Sequence, residues 1–266
     1  RALGFTVGPR NHHPWGTENH IIQFDGAFLE LIGIGVGAAI PPHARRSFSF
    51  GAHVRDFIAD GDGMAMLALE SHNAVADAEA FRKARIGDFD TFHFERIGKN
   101  AKGDEARVAF TLAFAEMQNA PRAGFFVCQQ HMPQNFWNAA EQQHRNAVSG
   151  ISSVVLVAED PSDAHEFLGA FTGQREMRAT SFGLELETAR GRIDVLSPEA
   201  FRFRFNVPPP PIVAGSLAFV GITLKVSSID ATLQCFKQGK VDYRKIDNCL
   251  VVSSDKAYGV VLTFTQ

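Results

Sequence analysis

The chain has 266 residues, of which 45% are hydrophobic and 21% charged, and its formal net charge is −3. These values are typical of a soluble globular protein with one large domain or two of ordinary size. The small net charge does not favour nucleic acid or an anionic membrane surface as a partner, and no apolar run reaches the ~18 residues that would cross a bilayer.

Cysteine and histidine are distributed unevenly. The three cysteines, Cys128, Cys235 and Cys249, are odd in number and far apart, so we expect reduced thiols in a cytoplasmic protein. Of the ten histidines, nine lie at or before His144 and none follows His165. Histidine is the side chain best suited to proton transfer and metal ligation near neutral pH. We therefore expect any reactive site in the first half of the chain.

The first predicted elements form a hairpin. A strand at residues 5–9 is followed by strands at 19–24 and 27–34, and the last two are joined by Asp25-Gly26, a strong hairpin turn signal. Glu30 is the only carboxylate in the otherwise apolar third strand. An unpaired buried carboxylate is costly, so Glu30 acts either as a ligand or base in a pocket or as a strand acid that reaches solvent or a salt-bridge partner.

A helix at residues 52–59 follows, and then a unit of one strand, one helix and three strands. This unit is predicted at residues 64–70, 73–85, 89–96, 107–116 and 124–131, with Ser71 or Asn73 capping its helix. Its last strand ends in Gln129-Gln130-His131. Because side chains alternate in a strand, Gln130 shares a face with Cys128 and Gln129 with His131. Either one pair lines a pocket, or the strand simply leaves the core here.

A polar stretch at residues 132–150 separates two halves, and we place domains at residues 1–147 and 148–266. The second half repeats the unit twice, around a run of four prolines that predicts a stiff extended linker. The predicted elements are residues 151–158, 160–171, 176–180, 183–188 and 192–196, then 217–226, 229–238, 241–246, 249–253 and 258–265. One helix followed by three strands with short turns favours an antiparallel meander. The fold class is α+β, built from tandem βαβββ modules that pack in pairs.

Several motifs resemble one known family. His13-Pro14-Trp15-Gly16-Thr17, Asn19-His20 and the string from Phe28 to Ile32 are similar to the opening signature of the glyoxalase-like domain family, within the vicinal oxygen chelate (glyoxalase/bleomycin resistance/dioxygenase) superfamily. The strings Cys128-Gln129-Gln130-His131-Met132-Pro133, Phe136-Trp137 and His144-Arg145-Asn146 continue the resemblance, which runs to about residue 160. It implies modules paired into two cup-shaped mixed-sheet domains, the first module missing its opening strand and helix.

The resemblance also bears on a metal. Superfamily enzymes hold a divalent ion in the cup with ligands from the first and last strands of two modules. The first ligand, a histidine, would precede Arg1. Carried over position by position, Glu30 matches the last-strand ligand of the first module. In the second module the last-strand position falls near residues 127–129, where Gln129 is the candidate, and the first-strand position falls near Met64 or Ala65, neither of which suits a hard ion. The visible ligands favour a cup without a divalent metal (Zn, Ni, Fe or Mn) over one with it. At the corresponding ligand positions the second half offers Ser152 or Ser153, Val220 or Gly221, Asp194 and Val260. It therefore resembles a degenerate partner domain that has lost the metal ligands.

These observations predict a small oxygenated molecule bound or transformed in the N-terminal cup, with Glu30 as metal ligand or base. The alternative is a metal-independent binding protein that uses the same cup. The sequence leaves open whether the protein is an enzyme (a lyase, isomerase or dioxygenase if active) and whether it forms a homodimer. The predicted substrate-binding residues are His13, Trp15, Asn19, His20, Gln129, Gln130, His131 and His144.

Three of these residues also have plainer interpretations. Trp15 is equally typical of a packing anchor, His20 of a core histidine that donates to a backbone carbonyl, and His144 of a cap at a strand entry.

Overall fold

A computed structural model describes residues 1–99 and 103–266. In these residues the strands are β1 (Asn11–His12), β2 (Thr17–Phe24), β3 (Ala27–Ile34), β4 (Met66–Glu70), β5 (Phe92–Lys99), β6 (Glu105–Ala115), β7 (Gly124–Gln130), β8 (Val148–Val157), β9 (Arg178–Thr180), β10 (Gly183–Thr188), β11 (Gly191–Leu196), β12 (Ala218–Val226), β13 (Arg244–Ile246), β14 (Cys249–Val252) and β15 (Val261–Thr265). The helices are α1 (Phe50–Ala59), α2 (Ala74–Ala84), α3 (Pro133–Phe136), α4 (His165–Thr172), α5 (Pro198–Phe205) and α6 (Ile229–Gly239). None of the described helices is both long enough and apolar enough to span a bilayer.

The predicted hairpin is confirmed, but the strand predicted before it is wrong. Strands β2 and β3 pair antiparallel from Phe24–Ala27 outwards, and Gly26 turns the chain with a φ of 69°, a value that glycine adopts without strain. Residues 5–9 form no ladder; Gly8 N–H donates to the Ile21 carbonyl at 2.8 Å, and the short strand β1 pairs with β2 instead. The hairpin thereby forms a three-stranded sheet.

The paired-module fold is confirmed most clearly in the second half. One eight-stranded sheet runs in the order β13-β14-β15-β12-β8-β11-β10-β9. The opening strands of its two modules, β8 and β12, pair antiparallel at the centre. In the first half, the second module forms a four-stranded sheet in the order β4-β7-β6-β5.

Three helices lie between the sheets of the two halves. Phe81 of α2 packs against Phe171 of α4, and Phe167 of α4 packs against Phe125 of β7. Phe236 of α6 belongs to a cluster that contains side chains from the first hairpin and from the eight-stranded sheet. The buried cores therefore cross the predicted boundary at residues 147 and 148, which coincides with the start of β8; the division into two domains stays a prediction.

Two further helices cover the opposite, concave faces of the sheets. Phe50 and Val54 of α1 pack on the face of β6 and β7 that carries Phe110 and Phe126. Phe201 and Phe205 of α5 pack in the same way on the eight-stranded sheet. Helix α5 was not predicted, although Ser197 caps it and Pro198 occupies its first turn, the usual start signals of a helix. Each of these two helices joins the paired modules of its half and fills part of the cup; we call α1 and α5 the plug helices.

Candidate functional site

The first hairpin brings Glu30 and Asn19 to one face. Ile21 lies directly opposite Glu30, and Asn19 lies opposite Ile32, so Asn19 and Glu30 are diagonal neighbours across the two strands. Asn19 is 3% exposed, whereas the Glu30 side chain retains 24% of its exposed area. The site is therefore a recess in which a mostly buried carboxylate still reaches open space.

The Asn19 amide organises this recess. Its Nδ2 donates to Glu30 Oε1 at 2.5 Å and lies 3.4 Å from His13 Nε2. Its Oδ1 accepts from Asn11 Nδ2 at 3.0 Å, which fixes the orientation of the amide because oxygen and nitrogen now have different partners. The two N–H groups of Asn19 are thus directed at the Glu30 carboxylate and at the His13 ring.

His13 is a neutral member of this network. Burial lowers the pKa of His13 to about 4, with smaller contributions from the charges of Arg96 and His12. Since Nε2 faces the Asn19 amide, the ring proton lies on Nδ1, which donates to Thr17 Oγ1 at 2.8 Å. The ring stacks on Trp15 with centroids 4.5 Å apart. Nε2 of His13 therefore accepts from Asn19 and helps to hold the Asn19 amide in place.

Trp15 packs behind His13 and is not a pocket wall. Its ring is 8% exposed and meets Phe50 of plug helix α1 and Phe94 of β5. This placement agrees with the plainer interpretation of Trp15 as a packing anchor.

Burial is the main influence on the Glu30 carboxylate. It raises the pKa of Glu30, while the hydrogen bond from Asn19 and the positive charge of Arg96 act in the opposite direction. A carboxylic acid with a raised pKa is better suited to accept and return a proton near neutral pH than an ordinary surface glutamate. Cys128 lies close by, and burial together with the Glu30 charge raises the pKa of its thiol to about 12. A raised pKa disfavours the thiolate, which is the nucleophilic form of cysteine.

A cavity of about 660 Å³ adjoins the recess. Ile21, the cross-strand neighbour of Glu30, and Arg96 of β5 both line it. Arg96 was not singled out from the sequence, yet its charge acts on both Glu30 and His13. Nothing local to residue 96 signals this role, because it depends on how β5 is placed opposite the hairpin.

The polar stretch after β7 closes one side of this cavity. Phe136 packs on Phe28 and Phe110. Gln23, which is 4% exposed, donates to the Phe136 carbonyl at 3.0 Å and accepts from the Asn138 N–H at 2.9 Å. The stretch therefore folds across one side of the cup.

Four predicted substrate-binding residues lie elsewhere. His20 hydrogen-bonds to the Gly8 carbonyl, and His144 joins the Gln23 carbonyl to the Thr6 N–H, so both fasten the backbone. Gln129 accepts from Ala74 N–H at the start of α2, and His131 hydrogen-bonds to Thr111. Both lie on the outer face of the sheet, because alternation puts them opposite Cys128.

Gln130 is on the concave side. It pairs with Phe110, whose side chain packs with Trp15 and plug helix α1. Of the predicted residues, the structure therefore brings together His13, Asn19 and Glu30, with Trp15 behind them and Gln130 on the same face of the cup.

Comparison with known proteins agrees with this fold. A family model described as a glyoxalase-like domain matches residues 1–172, more than half of the chain. The chain belongs to the glyoxalase-like domain family. No curated protein matches the sequence.

Solved structures share the fold of this glyoxalase-like protein. A hypothetical protein from Staphylococcus aureus is 10% identical, with a TM-score of 0.64 over 98% of this chain and 90% of that one. A mutant of 4-hydroxymandelate synthase from Streptomyces coelicolor is 9% identical, with a TM-score of 0.52 over 97% of this chain and 84% of that one. At these identities the similarity shows the fold alone.

The residues around Glu30 do not form a fitting set of divalent-metal ligands within the described part of the chain. Within residues 1–99 and 103–266, no group of three or more His, Cys, Asp or Glu side chains could hold an ion. Glu30 and His13 lie 3.8 Å apart, but His13 Nε2 already faces the Asn19 amide, and the charge of Arg96 acts on both residues. A positive guanidinium beside the carboxylate opposes a second cation there.

Proposed function

We propose that this glyoxalase-like protein binds a small oxygenated molecule in the N-terminal cup and that Glu30 exchanges a proton with it. The observation that carries the proposal is a carboxylate of raised pKa that is held by Asn19 at 2.5 Å. Its direct cross-strand partner, Ile21, lines a cavity of about 660 Å³. Cavities of this size hold small organic ligands.

The chemistry follows from the partners of Glu30. A carboxylate held at one oxygen by Asn19 keeps its second oxygen for a substrate proton. Removal of a proton next to a carbonyl is the reaction class that fits best, because it needs a positioned base and a nearby positive charge for the developing oxyanion. Arg96 supplies that charge. This is lyase or isomerase chemistry and uses no metal step.

Deuterium exchange tests this function. In D2O, NMR would follow the loss of the proton next to the carbonyl in a panel of small aldehydes and 2-oxo acids. We expect exchange above background with the native protein and background exchange with Glu30→Gln. Glu141→Gln is the matched control, since Glu141 lines the same cavity without facing Glu30. Equal exchange by the native protein and Glu30→Gln would refute the base role.

The second candidate is a binding protein that uses the same cup without a metal and catalyses nothing. It is supported by the cavity lining, in which amide and apolar side chains such as Asn135, Asn138 and Phe136 can hold a ligand without any chemical step. Binding of a panel member without exchange would favour this function. Elemental analysis of purified protein, beside Glu30→Ala, checks the metal separately: stoichiometric Zn, Ni, Fe or Mn that disappears in the variant would refute both metal-free proposals.

A further inference from the structure

Arg96 carries a charge that has no ion-pair partner among residues 1–99 and 103–266. It lies on β5 and lines the cavity beside the hairpin. Among the described residues, no carboxylate forms an ion pair with it within 4.0 Å, although Glu105 and Glu141 also line the cavity. Burial lowers the pKa of Arg96, and the attraction of the more distant Glu30 opposes this effect. A partly buried guanidinium is costly unless something negative meets it.

The neighbouring strand residue leaves room for this guanidinium. Gly98 is two residues further along β5, on the same face. A Cβ added at Gly98 would lie 3.1 Å from the Nη1 atom of Arg96. The missing side chain therefore lets the guanidinium lie along the strand in the cavity wall, with its planar fork of donors available to a ligand.

The remaining charges of the cavity do not replace such a ligand. Arg10, at the rim, already pairs with Glu18 at 3.4 Å. Burial raises the pKa of Glu141, which favours its neutral form. Glu105 also lines the cavity, at an exposed position, and many of the other lining groups are amides, such as Asn135 and Asn138, or apolar side chains, such as Ile21, Val108 and Phe136. Within the described residues, Arg96 is thus a cavity-lining cation that no carboxylate of the wall neutralises by an ion pair.

We infer that Arg96 binds the carboxylate of a small organic acid in this cavity, through the paired N–H···O contacts that guanidinium and carboxylate groups form. This inference rests on the proposed function and narrows its ligand from an oxygenated molecule to a carboxylate-bearing one. The acid would lie between Arg96 and the hairpin, with its remaining atoms towards Ile21 and Glu30.

Paired ligands test the inference on the full chain. Saturation-transfer NMR and calorimetry would compare benzoate with benzamide, and 2-oxobutanoate with 2-oxobutanamide, against the native protein, Arg96→Gln, Arg96→Lys and Arg10→Gln. Arg10→Gln is the matched control because it removes a charge of the same sign that already has a partner. Near-UV circular dichroism would establish that each variant is folded.

We expect at least one carboxylate to bind about tenfold more tightly than its amide, and Arg96→Gln to remove that preference. Arg96→Lys should restore part of it, and Arg10→Gln should leave it within about twofold. Equal binding of acid and amide, binding unaffected by Arg96→Gln, or no binding of either acid at millimolar concentration would overturn the inference. Glu30→Gln separates the two proposals. If this variant abolishes proton exchange and the native protein binds the acids no more tightly than their amides, the proposed function holds and the Arg96 inference fails.

Discussion

The Nδ2 atom of Asn19 lies 2.5 Å from Oε1 of Glu30, across the diagonal of two antiparallel strands. This contact joins an amide that is fixed on its other side by Asn11 to a carboxylate whose pKa burial raises. The hydrogen bond stabilises the charged form of Glu30 and so limits how far burial raises the pKa of this residue.

Replacement of Asn19 should therefore raise the pKa of Glu30 further above its ordinary value. In Asn19→Ala we expect a higher pKa for Glu30, measured by the ¹³C shift of its carboxyl carbon, and a loss of about 1–3 kcal/mol in the free energy of unfolding. Asn135→Ala is the control, because the Asn135 amide donates to the Arg107 carbonyl and not to Glu30. An unchanged Glu30 titration in Asn19→Ala would show that the contact is not formed in solution.

Glu30→Gln should stabilise the protein at neutral pH. Because the pKa of Glu30 is raised in the folded state, the folded protein binds the proton more tightly than the unfolded chain. The stability contributed by protonated Glu30 is present below the ordinary pKa and is lost as pH rises through the folded value. The advantage of Glu30→Gln should therefore be greatest at pH 7 and vanish towards pH 4 in urea titrations. An advantage that grows on acidification would contradict the sign of the shift.

His13 should give the opposite dependence. Its pKa falls from 6.5 to about 4 on folding. Between these two pH values, His13 is therefore protonated in the unfolded chain and neutral in the folded protein. Stability is then lost as pH falls from 6.5 towards 4, by roughly 3 kcal/mol in total. Compared with His13→Gln, which cannot titrate, the native protein should lose that much more stability between pH 7 and pH 4. Parallel curves for the two proteins would rule out a neutral buried imidazole.

Gln23 should control the segment that crosses the cup. In Gln23→Ala, the Phe136 carbonyl and the Asn138 N–H lose their partners, at a cost of about 1–3 kcal/mol in the free energy of unfolding. Amide exchange at Asn138 should become faster, because its N–H is no longer bonded. Gln143→Ala, at an exposed position in the same segment, should leave that exchange rate unchanged. Slow exchange at Asn138 in both variants would mean that other contacts hold the segment.

In the second half, Asp194 should be a structural residue. It is fully buried and pairs with Arg192 at 2.6 Å and Arg204 of plug helix α5 at 3.2 Å. Removal of one member of a buried ion-pair group leaves uncompensated charge, so Asp194→Ala should lower the free energy of unfolding by about 3 kcal/mol. Glu187→Ala removes an exposed carboxylate 4.0 Å from the same Arg192 and should have an effect below about 0.5 kcal/mol. Similar losses in the two variants would mean that burial of Asp194 adds nothing.

The hairpin could be predicted because its signals are local. The Asp25-Gly26 turn and the alternation on either side of it predict the register and the faces of the hairpin, and the positions of Asn19 and Glu30 follow from them. The first strand, however, begins at Thr17, two residues before its predicted start. Gln129 and His131 show the limit of alternation: it separates them from Cys128 and Gln130 but does not say which face lies inside the cup. That choice depends on packing between elements distant in sequence.

Arg96 lies beyond that limit. Its strand was predicted three residues too early, at 89–96 instead of Phe92–Lys99, so Arg96 fell at a strand end. Its approach to Glu30 joins positions 66 residues apart, and no periodicity within either strand encodes it. Plug helix α5 is a different case, since the Ser197-Pro198 start signal was present in the sequence.

The two plug helices occupy equivalent places in the chain. Helix α1 lies between β3 and β4, and helix α5 lies between β11 and β12, each after the last strand of one module and before the first strand of the next. A helix that recurs at the same point between two modules is consistent with duplication of a unit that already contained two modules and a plug helix. The two halves differ in what surrounds these helices: in the first half a cavity of about 660 Å³ remains between the hairpin and β5, whereas in the second half α5 supplies Arg204, which pairs with the buried Asp194.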